Sequence, residues 1–175
     1  MPRYLFYLLL LTASLTQLGC LDDEVKPGFD MIYSVDFTLP AGLNTVERHY
    51  FEFYDVETDF QAYLAGQGYT LEDIERIEPT GAVMYALSGD SDYGDIFEVS
   101  VQVFNGQQSY VEAFFRQDVP PNATDEVNML PTLANFKEYL EKPTMQLRVR
   151  LDLRQITSFT TDTRLDMSFR AVLAD

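Results

Sequence analysis

Three carboxylates, Asp90, Asp92 and Asp95, fall within six consecutive positions of the stretch Ser88-Gly89-Asp90-Ser91-Asp92-Tyr93-Gly94-Asp95. A hard cation such as Ca²⁺ takes about six to eight oxygen ligands, and carboxylates so closely spaced are donors it favours. The spacing departs from the EF-hand loop, which needs glycine at its sixth position and glutamate at its twelfth. Asp, Ser and Gly are also the residues a turn between strands demands. Both uses are in view, and calcium at Asp90, Asp92 and Asp95 is the one cofactor the residues suggest. The sole histidine, His49, shares its parity with Phe51 and Phe53. A hydrogen-bonded structural role is expected there rather than that of a general base.

Other chemistry is thinly represented. There is no Gly-x-Ser-x-Gly, no P-loop and no Cys/His cluster. Gly89-Asp90-Ser91 is similar to the start of the Gly-Asp-Ser-Leu block of one esterase family. Residue 92 is Asp rather than Leu, the block lies mid-chain, and His49 is upstream of it rather than downstream. That resemblance therefore carries no activity. Glycoside hydrolysis asks for two carboxylates; the 28 acidic residues supply many, and no pair stands out. Tyr50, Tyr54, Tyr93 and Tyr110 are candidates for stacking on sugars, with core packing as the competing use. The absence of Trp favours packing.

The elements that would position these residues read mostly as strands. Met31, Tyr33, Val35, Phe37 and Leu39 alternate with polar neighbours, and Pro40-Ala41-Gly42 ends the run. Val46 to Tyr54 is a second strand with aromatics on both parities, which suggests burial on both faces. Thr58-Asp59-Phe60-Gln61 resembles a capping box opening a helix through Phe60, Tyr63 and Leu64, stopped at Gly66 or Gly68. Thr70 caps a further helical turn carrying Leu71, Ile74 and Ile77. Ala82 to Leu87 is a third strand, and Phe97, Val99, Val101 and Val103 form a fourth. Asn105-Gly106 is a hairpin turn, with Tyr110 to Phe115 pairing back. Pro120 to Asn128 reads as a loop and Leu130 to Leu140 as a second helix. Met145, Leu147, Val149, Leu151 and Leu153 alternate without error, and Leu165, Met167 and Phe169 answer them after a turn. These last two runs are expected to form a hairpin. Arg148, Arg150 or Arg154 would then face Asp162 or Asp166, at about 0.2–1 kcal/mol per cross-strand pair.

The expected class is mainly β: an antiparallel two-sheet sandwich of about seven strands with two short helices. A single antiparallel sheet backed by helices is the alternative. With 13 Phe and 11 Tyr, the composition suits half-buried pleated surfaces. The net charge is −16 across 175 residues, which repels nucleic acid phosphate.

The N-terminus sets the address. Arg3 precedes the apolar run Tyr4 to Leu11, which is too short to span a bilayer and has the order of a secretion signal. Leu18-Gly19-Cys20 follows, and Cys20 is the only cysteine. This segment resembles the signal of bacterial lipoproteins, whose lipobox places a small residue and then Gly or Ala before the cysteine. Gly19 and Cys20 match; Leu18 and Gln17 depart from the small residue and the Leu of the pattern. The resemblance implies cleavage after residue 19 and acylation of Cys20. Removing Arg3 with the signal leaves 11 basic against 28 acidic residues, a net −17. Asp22, Asp23 and Glu24 are similar to the acidic surface-export signal of Bacteroidetes-type lipoproteins, or form a plain solvated linker. Residues 20–28 read as a flexible tether, whose eight residues after Cys20 reach roughly 25 Å when extended, and residues 29–175 as one domain. The resemblance implies an outer-membrane, lipid-anchored protein at the cell surface or periplasmic face. A non-enzymatic binding or scaffolding module is expected, with a carbohydrate-binding or glycan-processing accessory role as the alternative. Its partners would be the membrane through Cys20 and envelope proteins or glycans.

Overall fold

In the computed structural model, the described residues are 27–87, 91–104, 106–107 and 109–174. Residues 1–19, expected to be a signal, and Cys20, Asp22, Asp23, Glu24 and Asp90 lie outside them. Eight strands make up the fold: β1 Gly28–Leu39, β2 His49–Glu57, β3 Ile74–Ala86, β4 Ile96–Phe104, β5 Tyr110–Gln117, β6 Glu126–Pro131, β7 Thr144–Leu153 and β8 Thr161–Leu173. Two short helices accompany them, α1 Phe60–Gln67 and α2 Lys137–Leu140.

All pairings are antiparallel, and they nest: β1 with β8, β2 with β7, β3 with β6, and β4 with β5. Further pairing of β8 with β3 and of β7 with β4 gives the order β1-β8-β3-β6-β5-β4-β7-β2. Such a strip, a long hairpin wound on itself, is the jelly-roll topology. It folds into two four-stranded layers, β1-β8-β3-β6 and β5-β4-β7-β2. β6 makes the corner, pairing through Val127 and Met129 with β3 and through Leu130 and Pro131 with β5. Rings from the two layers meet inside: Phe114 of β5 lies 5.2 Å from Phe169 of β8, and Phe37 of β1 lies 4.9 Å from Phe51 of β2.

The mainly-β, two-layer antiparallel class is as expected, and the alternation of β7 is perfect, with Met145, Leu147, Val149, Leu151 and Leu153 buried. Several local expectations change. β7 and β8 do not form a hairpin; each pairs with two other strands, in opposite layers. Arg150 accordingly pairs with Glu98 on β4, Arg148 binds Gln102, and Arg164 of β8 takes Asp36 of β1. Asp166 accepts from Ser34 and Tyr85. The interior decides this: both runs have an apolar face, and placing those faces across the core buries them against each other rather than side by side.

The helix expected over Leu130 to Leu140 is mostly strand and irregular chain. Val127 and Met129 point inward while Glu126, Asn128 and Leu130 point out, a period of two. Leu133 is fully exposed; only Phe136 and Leu140 anchor the single turn α2. The helical turn expected through Ile77 ends at Asp73, and Ile74 begins the long strand β3. Thr70 and Asp73 do form a capping box there, with Thr70 N–H 2.7 Å from the Asp73 carboxylate. Thr58 does not cap α1. Its hydroxyl donates to the Lys142 carbonyl at 2.5 Å, and Asp59 takes the cap position with φ 46° and no side-chain bond. β2 is buried on one side only: His49, Phe51 and Phe53 turn inward while Tyr50, Glu52 and Tyr54 face out. In β4 a register irregularity between Ile96 and Glu98 places Ile96 inside and leaves Phe97 exposed.

The open edge of β1 is guarded by α1. The Tyr63 hydroxyl accepts from Ile32 N–H at 3.3 Å and donates to the Ile32 carbonyl at 3.2 Å, occupying backbone groups that an outside strand would use.

Candidate functional site

The outer face of the β5-β4-β7-β2 layer gathers polar and aromatic residues in rows set by the strand register. One row reads Glu52, Arg148, Gln102 and Glu112, each opposite the next. The adjacent row carries Tyr50, Arg150 and Ser100. Within this grid a continuous strip can be traced by contact. Tyr54 hydroxyl donates to one Glu52 oxygen, and Tyr110 hydroxyl donates to the other at 3.4 Å. The Arg148 guanidinium lies 3.7 Å from the Tyr110 ring and 4.8 Å from the Tyr50 ring. Two donor groups of Arg148 are fixed by the Gln102 amide oxygen, at 3.0 and 2.6 Å. The guanidinium is thus held within cation–π reach of both rings, contacts its planar delocalised charge suits.

Tyr50 and Tyr54 remain 48% and 62% exposed. The hydrogen bond to Glu52 pushes the Tyr54 phenol upward, and burial does the same for Tyr110. Both hydroxyls therefore stay protonated well above neutral pH and act as donors.

The strip runs into a cavity of about 260 Å³, lined by Tyr54, Asp55, Phe104, Tyr139, Lys142, Thr144 and Gln146 among others. Gln146 joins the two, donating its amide to Tyr110 hydroxyl at 2.9 Å. Asp55 reaches the cavity through a break in β2: the pairing with β7 slips between Phe53 and Val56. Asp55 there adopts φ 56°, the left-handed region. Aspartate tolerates that region better than most residues with a Cβ, and Asp59 and Asp118 adopt it as well. Three ring-bearing residues, Tyr54, Phe104 and Tyr139, thus share one small cavity with Asp55, Lys142, Thr144 and Gln146. Glu52, Glu112 and Asp55 stand with the cations Arg148 and Lys142 on this face, so it keeps a mild form of the chain's acidic balance.

The residues singled out from sequence are placed as follows. Asp95 is buried, and its carboxylate accepts from Ser158 N–H at 3.0 Å and Ser158 hydroxyl at 3.1 Å. Asp92 accepts from Gly94 N–H at 3.0 Å, capping the short 3₁₀ turn Tyr93–Asp95. Both carboxylates thus perform turn chemistry, and the described residues contain no group of three potential metal ligands. His49 donates its Nε2–H to the Asn44 carbonyl at 2.8 Å, the structural role expected of it. Tyr93 is fully buried, and burial pushes its phenol up to about 12; it is a core residue and no sugar platform. Asp55, Tyr139, Lys142 and Gln146 gave no signal in the sequence. Arg148 was visible only as a charge-pair candidate. The alternation Tyr50-x-Glu52-x-Tyr54 was the available hint of a polar-aromatic outer face.

No family model matches the chain, and no curated protein matches it. Among solved structures it aligns with a chain from Desmodium yellow mottle tymovirus at 12% identity, over 91% of this chain and 97% of that one, with a TM-score of 0.29. No helix among the described residues is long and apolar enough to cross a membrane.

Proposed function

We propose that this chain is a lipid-anchored, non-enzymatic binding or scaffolding module of the bacterial cell envelope. Its sole cysteine, Cys20, follows Gly19 at the end of an apolar signal-like run, which supports cleavage and acylation there. One acyl chain anchors marginally and two or more anchor firmly. The acidic Asp22-Asp23-Glu24 supports display on the outer membrane's external face, with the periplasmic face as the other setting. A net charge of −16 argues against nucleic acid as a partner.

The observation that carries the binding role is the contact-continuous strip Tyr54-Glu52-Tyr110-Arg148-Tyr50 and the cavity at its end. Asp55 is the one carboxylate among the described residues that line the cavity, whereas two-carboxylate hydrolysis needs a pair.

Two measurements test the reading. Intact mass of detergent-extracted protein should show a chain beginning at an acylated Cys20, and Cys20→Ser should move the protein to the soluble fraction. A free Leu21 N-terminus overturns the anchor. Washed envelope fractions mixed with the purified, anchor-free Cys20→Ser chain should retain it and release the same chain carrying Tyr54→Ala and Tyr110→Ala. Equal retention of the two overturns the binding face.

A further inference from the structure

The geometry points to a neutral oligosaccharide as the ligand of this face: we propose that one sugar ring enters the cavity beside Tyr54 and that the following rings lie along the strip toward Tyr50. This deepens the binding-module reading and rests on it.

A pyranose ring offers two kinds of surface at once. Its C–H face is apolar and flat enough to lie on an aromatic ring. Its rim is a belt of hydroxyls, each able to donate and accept. The face described here answers both. Tyr50 and Tyr54 are large, rigid and half-exposed, at 48% and 62%, on the same side of one strand and two pleats apart. Between and beside them stand groups whose hydrogen-bonding capacity is only partly used. Glu52 accepts from two phenols, and Gln146 donates one bond to Tyr110 while its carbonyl is available. Asp55, Lys142 and Thr144 are among the residues that line the cavity.

The charge pattern selects among ligands. A polyanion meets a chain of −16 and is repelled. A polycation meets carboxylates that already have partners: Glu52 accepts from Tyr54 and Tyr110, and Glu112 from Ser100. An uncharged polyhydroxylated ligand loses nothing to either effect. The rigidity of the site also fits: Arg148 is clamped by Gln102 and two rings, so little side-chain freedom is lost on binding. An extended peptide adding to the free edge of β2 is the competing occupant. The slip between Phe53 and Val56 interrupts the ladder such a peptide would need.

The test uses the full chain in detergent with cellohexaose, maltohexaose, chitohexaose and a mannohexaose, at up to about millimolar concentration, read by calorimetry and saturation-transfer NMR. A heparin hexasaccharide and a polylysine peptide are the charged comparators. At least one neutral sugar should bind. Tyr54→Ala and Tyr50→Ala, at exposed positions that leave folding intact, should each weaken it by roughly tenfold or more, as loss of an aromatic anchor does. Tyr110→Phe should weaken it less, because the ring over Arg148 is kept. Ile32→Ala, on the opposite layer, should leave affinity unchanged. The inference is overturned if no neutral sugar binds, if a charged comparator binds more tightly than all of them, or if affinity survives both tyrosine-to-alanine changes. Failure here is separable from failure of the broader reading. Envelope retention that depends on Tyr54 and Tyr110, without any sugar binding, removes the glycan and keeps the binding module.

Discussion

Gly94 lies where the chain has no room for a side chain. A Cβ built on it would stand 2.2 Å from the Pro121 carbonyl oxygen and 2.9 Å from the Asp92 carboxylate that its own N–H binds. The first neighbour is backbone and cannot swing aside. Gly94→Ala should therefore destabilise the protein by about 1–3 kcal/mol, the range for forced overpacking, and a thermal melt would read it. An unchanged melting temperature would mean that the Pro120-Pro121 segment yields freely. A second residue-scale effect concerns charge. Two hydrogen bonds from Arg164, at 2.7 and 2.8 Å, hold the Asp36 carboxyl below its usual range. A carboxylate depressed in the folded state stabilises above its unfolded pKa, and that contribution fades as the pH falls through the folded value. The melting-temperature gap between wild type and Arg164→Met should be present at neutral pH and narrow as the pH falls below the ordinary aspartate value of about 3.9. A gap that persists in acid would assign Arg164 a packing role instead.

At the scale of elements, β7 is the strand on which the layer depends, since it bridges β2 and β4. Leu151 is fully buried, and Leu151→Ala should cost about 2–5 kcal/mol. Arg150 is not a solvent-pointing residue as its parity suggested: its side chain is only 18% exposed and pairs with Glu98 and, at 3.6 Å, with Asp152. Arg150→Met keeps the aliphatic packing and removes the pair, so it should cost less than Leu151→Ala. Chemical denaturation of the two variants checks the order. Equal losses would show that the outer polar rows matter to stability as much as the core does.

For the molecule as a whole, nesting makes the last strand indispensable. β8 lies between β1 and β3, and β1 has no other strand partner. Deleting residues 161–175 removes Leu165, Met167 and Phe169 from the core, frees β1 and exposes the edge of β3. Net domain stability is about 5–15 kcal/mol, less than such a loss. The truncated chain should be aggregated or unfolded by circular dichroism and size-exclusion chromatography. A soluble truncation with native far-ultraviolet signal would refute the pairing. The net charge of −16 acts at this scale too. Raising sodium chloride from about 0.05 to about 0.5 M should raise the melting temperature by screening self-repulsion. A further increment specific to calcium, absent in Asp92→Asn, would locate an ion at Asp90, Asp92 and Asp95.

What the sequence determined by itself is what depends on near neighbours. A period of two is written into β1 and β7, because each buries one face, and so their inward residues were legible one by one. β4 pairs with β5 across a short link between Phe104 and Tyr110, with Gly106 at φ 78°, because a hairpin needs only its own few residues. The acidic balance, the lone cysteine after Gly19 and the β-rich class were likewise present in composition and order. Tertiary structure alone decided which strands pair across long separations. β7 and β8 have matching patterns and a short link, yet the nested wrapping sends them to different layers, because that closes the core with both apolar faces inward. It also decided the short runs. Val127 and Met129 sit in a stretch whose weak pattern fits helix or strand, and the free hydrogen-bonding edge of β3 settled the choice. The candidate site belongs to this second group. Tyr50, Tyr110, Arg148 and Gln146 come from three strands far apart in sequence, and Asp55 reaches the cavity through a pairing slip that no local pattern announces.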